Sequence, residues 1–325
     1  MKETVFVSGG AGYIGSVLVR MLLEWGFRVR VLDNLMYGGV PIIDLLNNPD
    51  FLFIKGDVRH EDDLRLGLQG VDFAVHLAAI VGDPACTKQP DLAWSVNLEA
   101  STKMYAIANE LGVKRFVFAS TCSNYGRMED PDLYVDESSM LSPVSIYAET
   151  KVAVEQFLLG QPHENVCKPT CLRFSTVYGF SPRPRFDLTV NEFTKELALG
   201  RELVVFGEQF WRPYCHVVDL CRSVLAVIGA EEHKVGFDVF NVGDTSQNYR
   251  KQMIVDEILK QLPGSRVRYV TKSEDPRDYR VSFEKIKQYL DFRITKTVPD
   301  GIRQIIQVVQ DGFIADPDAD EYRNS

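Results

Sequence analysis

Short apolar runs recur along the first half of the chain, and between them apolar residues return every third or fourth position. The runs "TVFVSG" (4–9), "FRVRVLD" (27–33), "FLFIKGD" (51–57), "FAVHLAA" (73–79), "KRFVFAS" (114–120) and "CLRFSTVYG" (171–179) read as strands. Their near-continuous apolar character fits strands buried on both faces. A helix is predicted from about Tyr13 to Trp25, where Ile14, Val17, Leu18, Met21 and Leu22 share one face. Further helices are expected at about 90–111 and 143–160. Repeated strand–helix–strand units predict an α/β protein with a parallel sheet covered on both sides.

The rhythm changes beyond about Gly179. "SPRPRFD" reads as a proline and arginine loop, followed by a helix near 187–199 and shorter elements. A last amphipathic helix, "VPDGIRQIIQVVQDG", opens with Pro and Asp in its first turn. The expected division is 1–180 as the main domain and 181–325 as a smaller lobe, with some late segments returning to the sheet. The acidic "ADPDADEYRNS" is expected to fray.

Composition narrows the function. The 325 residues suffice for one large domain or a main domain with a smaller lobe. A net charge of −9 argues against a general nucleic-acid binder. The six cysteines form no CxxC pair and no zinc-spaced cluster, so they read as reduced core residues, and no metal is expected. The opening residues run straight into a strand, and no apolar stretch approaches the roughly 20 residues of a membrane span. A soluble cytoplasmic protein is expected.

"GGAGYIG" (9–15) stands between the first strand and the first helix. Gly9, Gly12 and Gly15 suit a tight turn, close approach to a pyrophosphate, and packing of helix on sheet. Tyr13 and Ile14 lie at the helix start, where unpaired N–H groups face an anion. The second strand ends at Asp33, whose carboxylate suits adenosine ribose hydroxyls and repels a 2′-phosphate. Asn34 follows, with no Arg beside it, which favours NAD over NADP. "GDV" places Asp57 and Val58 at the adenine. "YAETK" sets Tyr147 and Lys151 four apart, on one helical face. A tyrosine of ordinary pKa is a poor base, and a nearby ammonium together with the positive nicotinamide ring of an oxidised cofactor is expected to lower it. Lys151 would also hold the nicotinamide ribose, and the Thr121 hydroxyl would orient a substrate alcohol.

With "GGAGYIG", "HLAA" (76–79), "STCSNYG" (120–126), "YAETK" (147–151), "LRFSTVYG" (172–179) and "WRPYCHVVDL" (211–220), the chain resembles the extended short-chain dehydrogenase/reductases. Its branch is the NAD-dependent epimerase/dehydratase family acting on nucleotide sugars. The resemblance implies a Rossmann doubly wound parallel sheet with a smaller C-terminal α/β substrate lobe. It implies Thr121, Tyr147 and Lys151 as catalytic residues, Asn97 as support behind them, and Leu77, Ala78, Ala79 and Ser175 as cofactor contacts. Cys122, Ser123, Thr176, Asn191 and Arg212 become candidate substrate contacts, packing being the other reading of the Cys122 thiol. Arg183, Arg185 and Arg277 are candidate phosphate or sugar contacts.

The implied first step is oxidation at C4 of a nucleotide-diphosphate sugar. The 4,6-dehydratase branch places an Asp and a Glu after its threonine, whereas Cys122 and Ser123 stand here. A 4-epimerase or 4-dehydrogenase is therefore expected, and "SPRPRFDLTVNEFT" and "AAIVGDPAC" resemble the GDP-heptose 4-dehydrogenases. A dehydratase, an NADPH reductase and a catalytically silent NAD(H) sensor or scaffold are the alternatives. A homodimer paired through the helices near 91–111 and 143–160 is implied by resemblance alone.

Overall fold

In the computed structural model, which describes residues 2–128, 130, 133–271 and 277–324, the early apolar runs pair side by side. The strands are β1 (Thr4–Ser8), β2 (Arg28–Asp33), β3 (Phe51–Lys55), β4 (Phe73–His76), β5 (Arg115–Thr121) and β6 (Lys168–Phe174). They continue with β7 (Thr176–Tyr178), β8 (Leu203–Phe206), β9 (Trp211–His216), β10 (Asp238–Val242), β11 (Asn248–Arg250) and β12 (Val267–Val270). A seven-stranded sheet has the order β3-β2-β1-β4-β5-β6-β10, parallel at every pairing. Strand order reverses between β1 and β4, as in a doubly wound Rossmann sheet, and ligands bind at the crevice this leaves.

Burial on both faces explains the unbroken apolar runs. Val5 and Val7 pack with the helices Gly15–Glu24 and Val217–Gly229. Phe6 packs on the other side, with Glu61–Leu68, Ala100–Glu110 and Ile146–Leu159. β5 repeats the alternation, with Val117 on the first face and Phe116 and Phe118 on the second. Each such side chain, fully buried, contributes about 1.5–3 kcal/mol.

Two predicted elements are divided. The run 171–179 leaves the large sheet at Ser175, and its second part, β7, pairs with β9 in a three-stranded sheet ordered β11-β9-β7. Gly179, at φ +101, ends it where an added Cβ would overlap the His216 ring. The span 90–111 comprises a helix Pro90–Trp94, a π turn Ser95–Glu99 and the helix Ala100–Glu110. The wide turn carries Asn97.

The smaller lobe centres on Tyr178, Phe193, Leu203, Ile254 and Ile302, while β10 returns to the large sheet beside β6. The segment expected to fray is docked instead. Asp318 meets buried Lys195 at 2.6 Å and Arg201 at 2.6 Å, and the Phe186 N–H donates to the Tyr322 carbonyl at 2.9 Å. Its Asp318 thereby finds cations on and just after the helix Thr189–Ala198. No helix among the described residues is long and apolar enough to cross a membrane.

A buried ion pair joins the layers at the carboxyl edge of the sheet. Arg173 of β6 and Glu155 of the helix Ile146–Leu159 meet through Nη2 at 2.7 Å and Nε at 3.1 Å. Glu155 also accepts from Ser120 Oγ and from Asn124 Nδ2, the latter at 2.9 Å. Arg173 donates to the Tyr125 hydroxyl at 2.9 Å, which donates to Asn241 Oδ1 at 2.8 Å. Removing one partner of such a pair leaves a buried charge uncompensated. Glu155→Ala is expected to cost about 3–5 kcal/mol, read as a fall in the urea midpoint; a loss under about 1 kcal/mol would show that the pair does not join these elements.

Candidate active site

The loop after β1 turns on itself because its glycines leave no alternative. Gly9 takes φ +76, and a Cβ on Gly15 would overlap the Gly9 carbonyl oxygen. The turn closes with Gly12 N–H to Gly9 O at 3.2 Å and Ser16 N–H to Gly12 O at 2.9 Å. Gly12 itself is nearly open, since an added Cβ would find only Gly9 O within 4 Å. A backbone cradle is thus left at the start of the helix Gly15–Glu24, where unpaired N–H groups favour an anion.

One cavity runs from this loop along the carboxyl ends of β2, β4 and β5. Every residue assigned to the dinucleotide lines it, from Gly9 through Asp57 and Ala78 to Ser175, and so does Thr121. Asp33 accepts from the Ala11 N–H at 3.0 Å and the Leu35 N–H at 2.8 Å. Burial raises its pKa, and those two bonds oppose the shift. The Asp57 carboxylate is clamped by Arg59 at 2.7 and 3.0 Å, which holds its pKa down to about 2. Ser175 donates its hydroxyl to the Val242 carbonyl at 2.7 Å. These groups fit a dinucleotide: a glycine cradle for the pyrophosphate at one end, and carboxylates toward the adenosine side.

Thr121 ends β5 and caps the short 3₁₀ turn Cys122–Tyr125, its Oγ1 accepting from the Ser123 N–H at 3.1 Å. The hydroxyl proton thereby remains to be donated to a substrate oxygen. Ser145 caps the helix that carries Tyr147 and Lys151, accepting from the Ala148 N–H at 3.3 Å. Behind them Asn97 accepts from the Ile80 N–H at 2.8 Å and donates to the Thr150 hydroxyl at 3.3 Å. Thr150 in turn donates to the Tyr147 carbonyl at 2.8 Å.

Lys151 is 3% exposed; its ammonium donates to the Ala119 carbonyl at 2.8 Å and lies 4.6 Å from the Phe118 ring centroid. Desolvation lowers its pKa to about 8. The expectation that this ammonium lowers the Tyr147 pKa is not met in the protein alone. Burial dominates and raises the phenol above its ordinary value, although the Lys151 ammonium lies 5.9 Å from the Tyr147 ring centroid.

Two other assignments, Cys122 and Asn191, are corrected by position. The Cys122 thiol is buried in the core and donates to the Arg173 carbonyl at 3.2 Å; burial raises its pKa, so it is packing and not a substrate contact. Asn191 is buried and fully committed, taking the Gly179 N–H at 2.9 Å and donating to the Arg185 carbonyl at 2.9 Å and the Gly179 carbonyl at 3.2 Å. It latches two loops together. Arg183 and Arg185, expected as phosphate or sugar contacts, line the cavity that holds both the glycine loop and Thr121, Tyr147 and Lys151. Thr176 lies in β7, opposite Tyr214 of β9.

A second cluster gathers around Tyr279, a residue that no motif marked. Its phenol is raised by burial, while Arg212, a hydrogen bond with Ser123, and Arg277 oppose the shift. The Arg212 guanidinium lies 5.4 Å from the Tyr279 ring, and Arg277 pairs with Asp83 at 3.0 Å. Sequence reading also missed Tyr37, Arg59 and Asn324, which line the first cavity. Tyr37 and Arg59 each follow a marked carboxylate by a few residues, a usable signal, whereas nothing local marks Asn324.

A family model, the NAD dependent epimerase/dehydratase family, matches residues 5–243. A UDP-glucose 4-epimerase of Halalkalibacterium halodurans is 29% identical over 308 residues, covering 88% of this chain and 89% of the relative. Among solved structures, the UDP-glucose 4-epimerase of Thermotoga maritima with UDP-glucose matches at TM-score 0.83 and 25% identity, covering 96% of this chain and 100% of that one. A dTDP-glucose 4,6-dehydratase of Streptomyces venezuelae with NAD matches at TM-score 0.83 and 26% identity, covering 95% and 98%.

Lys151 carries a stability cost with a defined pH window. Its pKa is about 8 folded and about 10.4 unfolded, so between these values the unfolded chain binds more protons and stability rises with pH. Lys151→Met is therefore expected to unfold about 1–3 kcal/mol later than the parent at pH 7. The gain should shrink as pH climbs from 8 toward 10.5. Paired urea titrations across that range test it, and a gain independent of pH would disprove the assignment.

Proposed function

This chain belongs to the NAD dependent epimerase/dehydratase family, and on that premise we propose that it oxidises C4 of a nucleotide-diphosphate sugar and restores it inverted, as a 4-epimerase. The observation that carries this reading is the gathering of Thr121, Tyr147 and Lys151 on one cavity with the dinucleotide cradle, with no carboxylate at 122 or 123. Bound NAD supplies the hydride acceptor and, when oxidised, a positive charge beside the phenol. Tyr147 then takes the proton from the C4 hydroxyl and returns it after the 4-keto sugar has turned over. Thr121 orients that hydroxyl with its free O–H. Lys151 holds the ribose through hydroxyl contacts and keeps a positive charge in the cavity. Its anchor on the Ala119 carbonyl fixes the ammonium against the end of β5.

Water elimination is disfavoured by the same floor. It needs an acid for the C6 hydroxyl and a base for the C5 proton, and a buried thiol bonded to a carbonyl serves neither. Arg212 and Arg277, flanking Tyr279, suit the substrate diphosphate, since guanidinium groups bind phosphate oxygens in pairs. The relatives named above act on UDP-glucose and dTDP-glucose, so a UDP-sugar is the first substrate class to supply. The reading includes a cytoplasmic homodimer joined through the outer faces of the helices Ala100–Glu110 and Ile146–Leu159. It keeps 1–180 as mainly the cofactor part and 181–325 as mainly the sugar part.

The test is a panel of UDP-, GDP-, CDP- and dTDP-sugars, followed by product mass, C4 configuration and the NADH absorbance band. Unchanged mass, inverted C4 and no net NADH are expected with a UDP-hexose. Loss of two hydrogens with accumulating NADH would replace the epimerase by a 4-dehydrogenase. Tyr147→Phe should lower kcat by about 10²–10⁴; undiminished turnover would refute the proton-transfer role.

A further inference from the structure

We propose that Arg183 is a phosphate ligand of the dinucleotide, and that residues 322–324 form a strap fixing it over the glycine loop. The inference rests on the NAD reading and adds to it a residue that the glycine motif does not contain.

Arg183 is 3% exposed. Among the described residues no carboxylate lies within ion-pair distance of it, and its Nε has no hydrogen-bond partner. The neighbouring Arg185 is neutralised by Asp187 at 2.6 and 3.0 Å, so Arg183 is the guanidinium left without an anion. What it does have is a carbonyl and an aromatic face: Nη2 donates to the Arg323 carbonyl at 3.1 Å, and the guanidinium lies 4.1 Å from the Tyr37 ring centroid. Burial and the charge of Arg185 lower its pKa to about 10, which leaves it charged at neutral pH. A buried charge without a counter-ion is costly, and a bound anion removes the cost.

Its location identifies the anion. Arg183 lines the cavity shared by Gly12, Tyr13 and Ile14. The loop that carries it is stitched to the glycine turn by Ser181, which donates to the Tyr13 carbonyl at 2.7 Å and meets Ser16 Oγ at 3.1 Å. Pro182 and Pro184 flank Arg183 and restrict the backbone on both sides. This stitching sets Arg183 beside the glycine turn, so the anion assigned to it is the pyrophosphate proposed for that turn.

The strap is held independently. The Phe186 N–H donates to the Tyr322 carbonyl at 2.9 Å, the Asn324 N–H donates to Asp187 at 3.2 Å, and the Tyr322 ring meets Phe186 edge-on at 5.9 Å. Asn324 lines the cavity, and its Oδ1 is buried without a donor. That oxygen suits a ribose hydroxyl of the same ligand.

The experiment uses the full-length protein stripped of bound nucleotide, with NAD, ADP, 2′-AMP and adenosine as probes in calorimetric titrations. Arg183→Gln should weaken NAD and ADP about 10- to 100-fold and leave adenosine unchanged. Arg183→Lys should recover part of the loss. A chain ending at Ala319 should release NAD about tenfold faster, by the same reckoning for a lost charge-assisted contact. Equal ADP affinity in parent and Arg183→Gln would overturn the proposal, and so would a loss confined to 2′-AMP, which would assign Arg183 to a 2′-phosphate. Adenosine weakened in step with ADP would also overturn it, by showing a general disturbance of the fold. A parent protein that bound neither NAD nor ADP would instead defeat the NAD reading itself.

Discussion

The Glu155–Arg173 pair is the constraint on which the site geometry depends. It ties the helix bearing Tyr147 and Lys151 to β6 and, through Ser120 and Asn124, to the loop bearing Thr121. Consecutive elements of the chain, the end of β5, the helix Ile146–Leu159 and β6, are thereby held to one buried charge network. The pair is worth little as net stabilisation, because desolvation offsets much of its attraction. Its value lies in position: a carboxylate with fixed donors leaves the surrounding backbone one low-energy arrangement. Asn97 acts similarly from the other side, and the π turn brings its amide to the Ile80 backbone and Thr150.

Around this frame the protein stores positive charge at a cost. Lys151 sits buried on a carbonyl and an aromatic ring, with its pKa lowered to about 8. Arg183 is buried on a carbonyl and a tyrosine face. Neither arrangement favours the folded chain by itself, and both become favourable when an anionic, hydroxyl-rich ligand occupies the cavity. Such a trade of stability for binding is common at functional sites. It accounts for an acidic protein that keeps cations in this crevice.

The floor of the crevice separates what the family shares from what this chain does. Thr121 faces the cavity and leaves its O–H available, whereas the next side chain, Cys122, turns into the core and bonds the Arg173 carbonyl. In this packing a carboxylate at 122 would meet the Arg173 carbonyl oxygen instead of the cavity. The absence of elimination chemistry in the proposed reaction is therefore a property of how the strand end packs as well as of residue type.

The fold was legible in the sequence because a parallel sheet buried on both faces imposes continuous apolar strands, and a glycine turn before a helix has few other uses. The same holds for the cofactor side, since Gly9, Gly15 and Asp33 are tied to strand ends by short-range spacing. What only tertiary structure decided were contacts between distant segments. The split at Ser175 follows from pairing with residues 211–216, and the docking of 316–324 follows from Lys195 and Arg201. The approach of the Arg183 loop to the glycine turn follows from Ser181 bonding to Tyr13. Local periodicity encodes which face of an element is buried. Which polar group meets which across the fold depends on three-dimensional packing, and spacing along the chain carries no record of it.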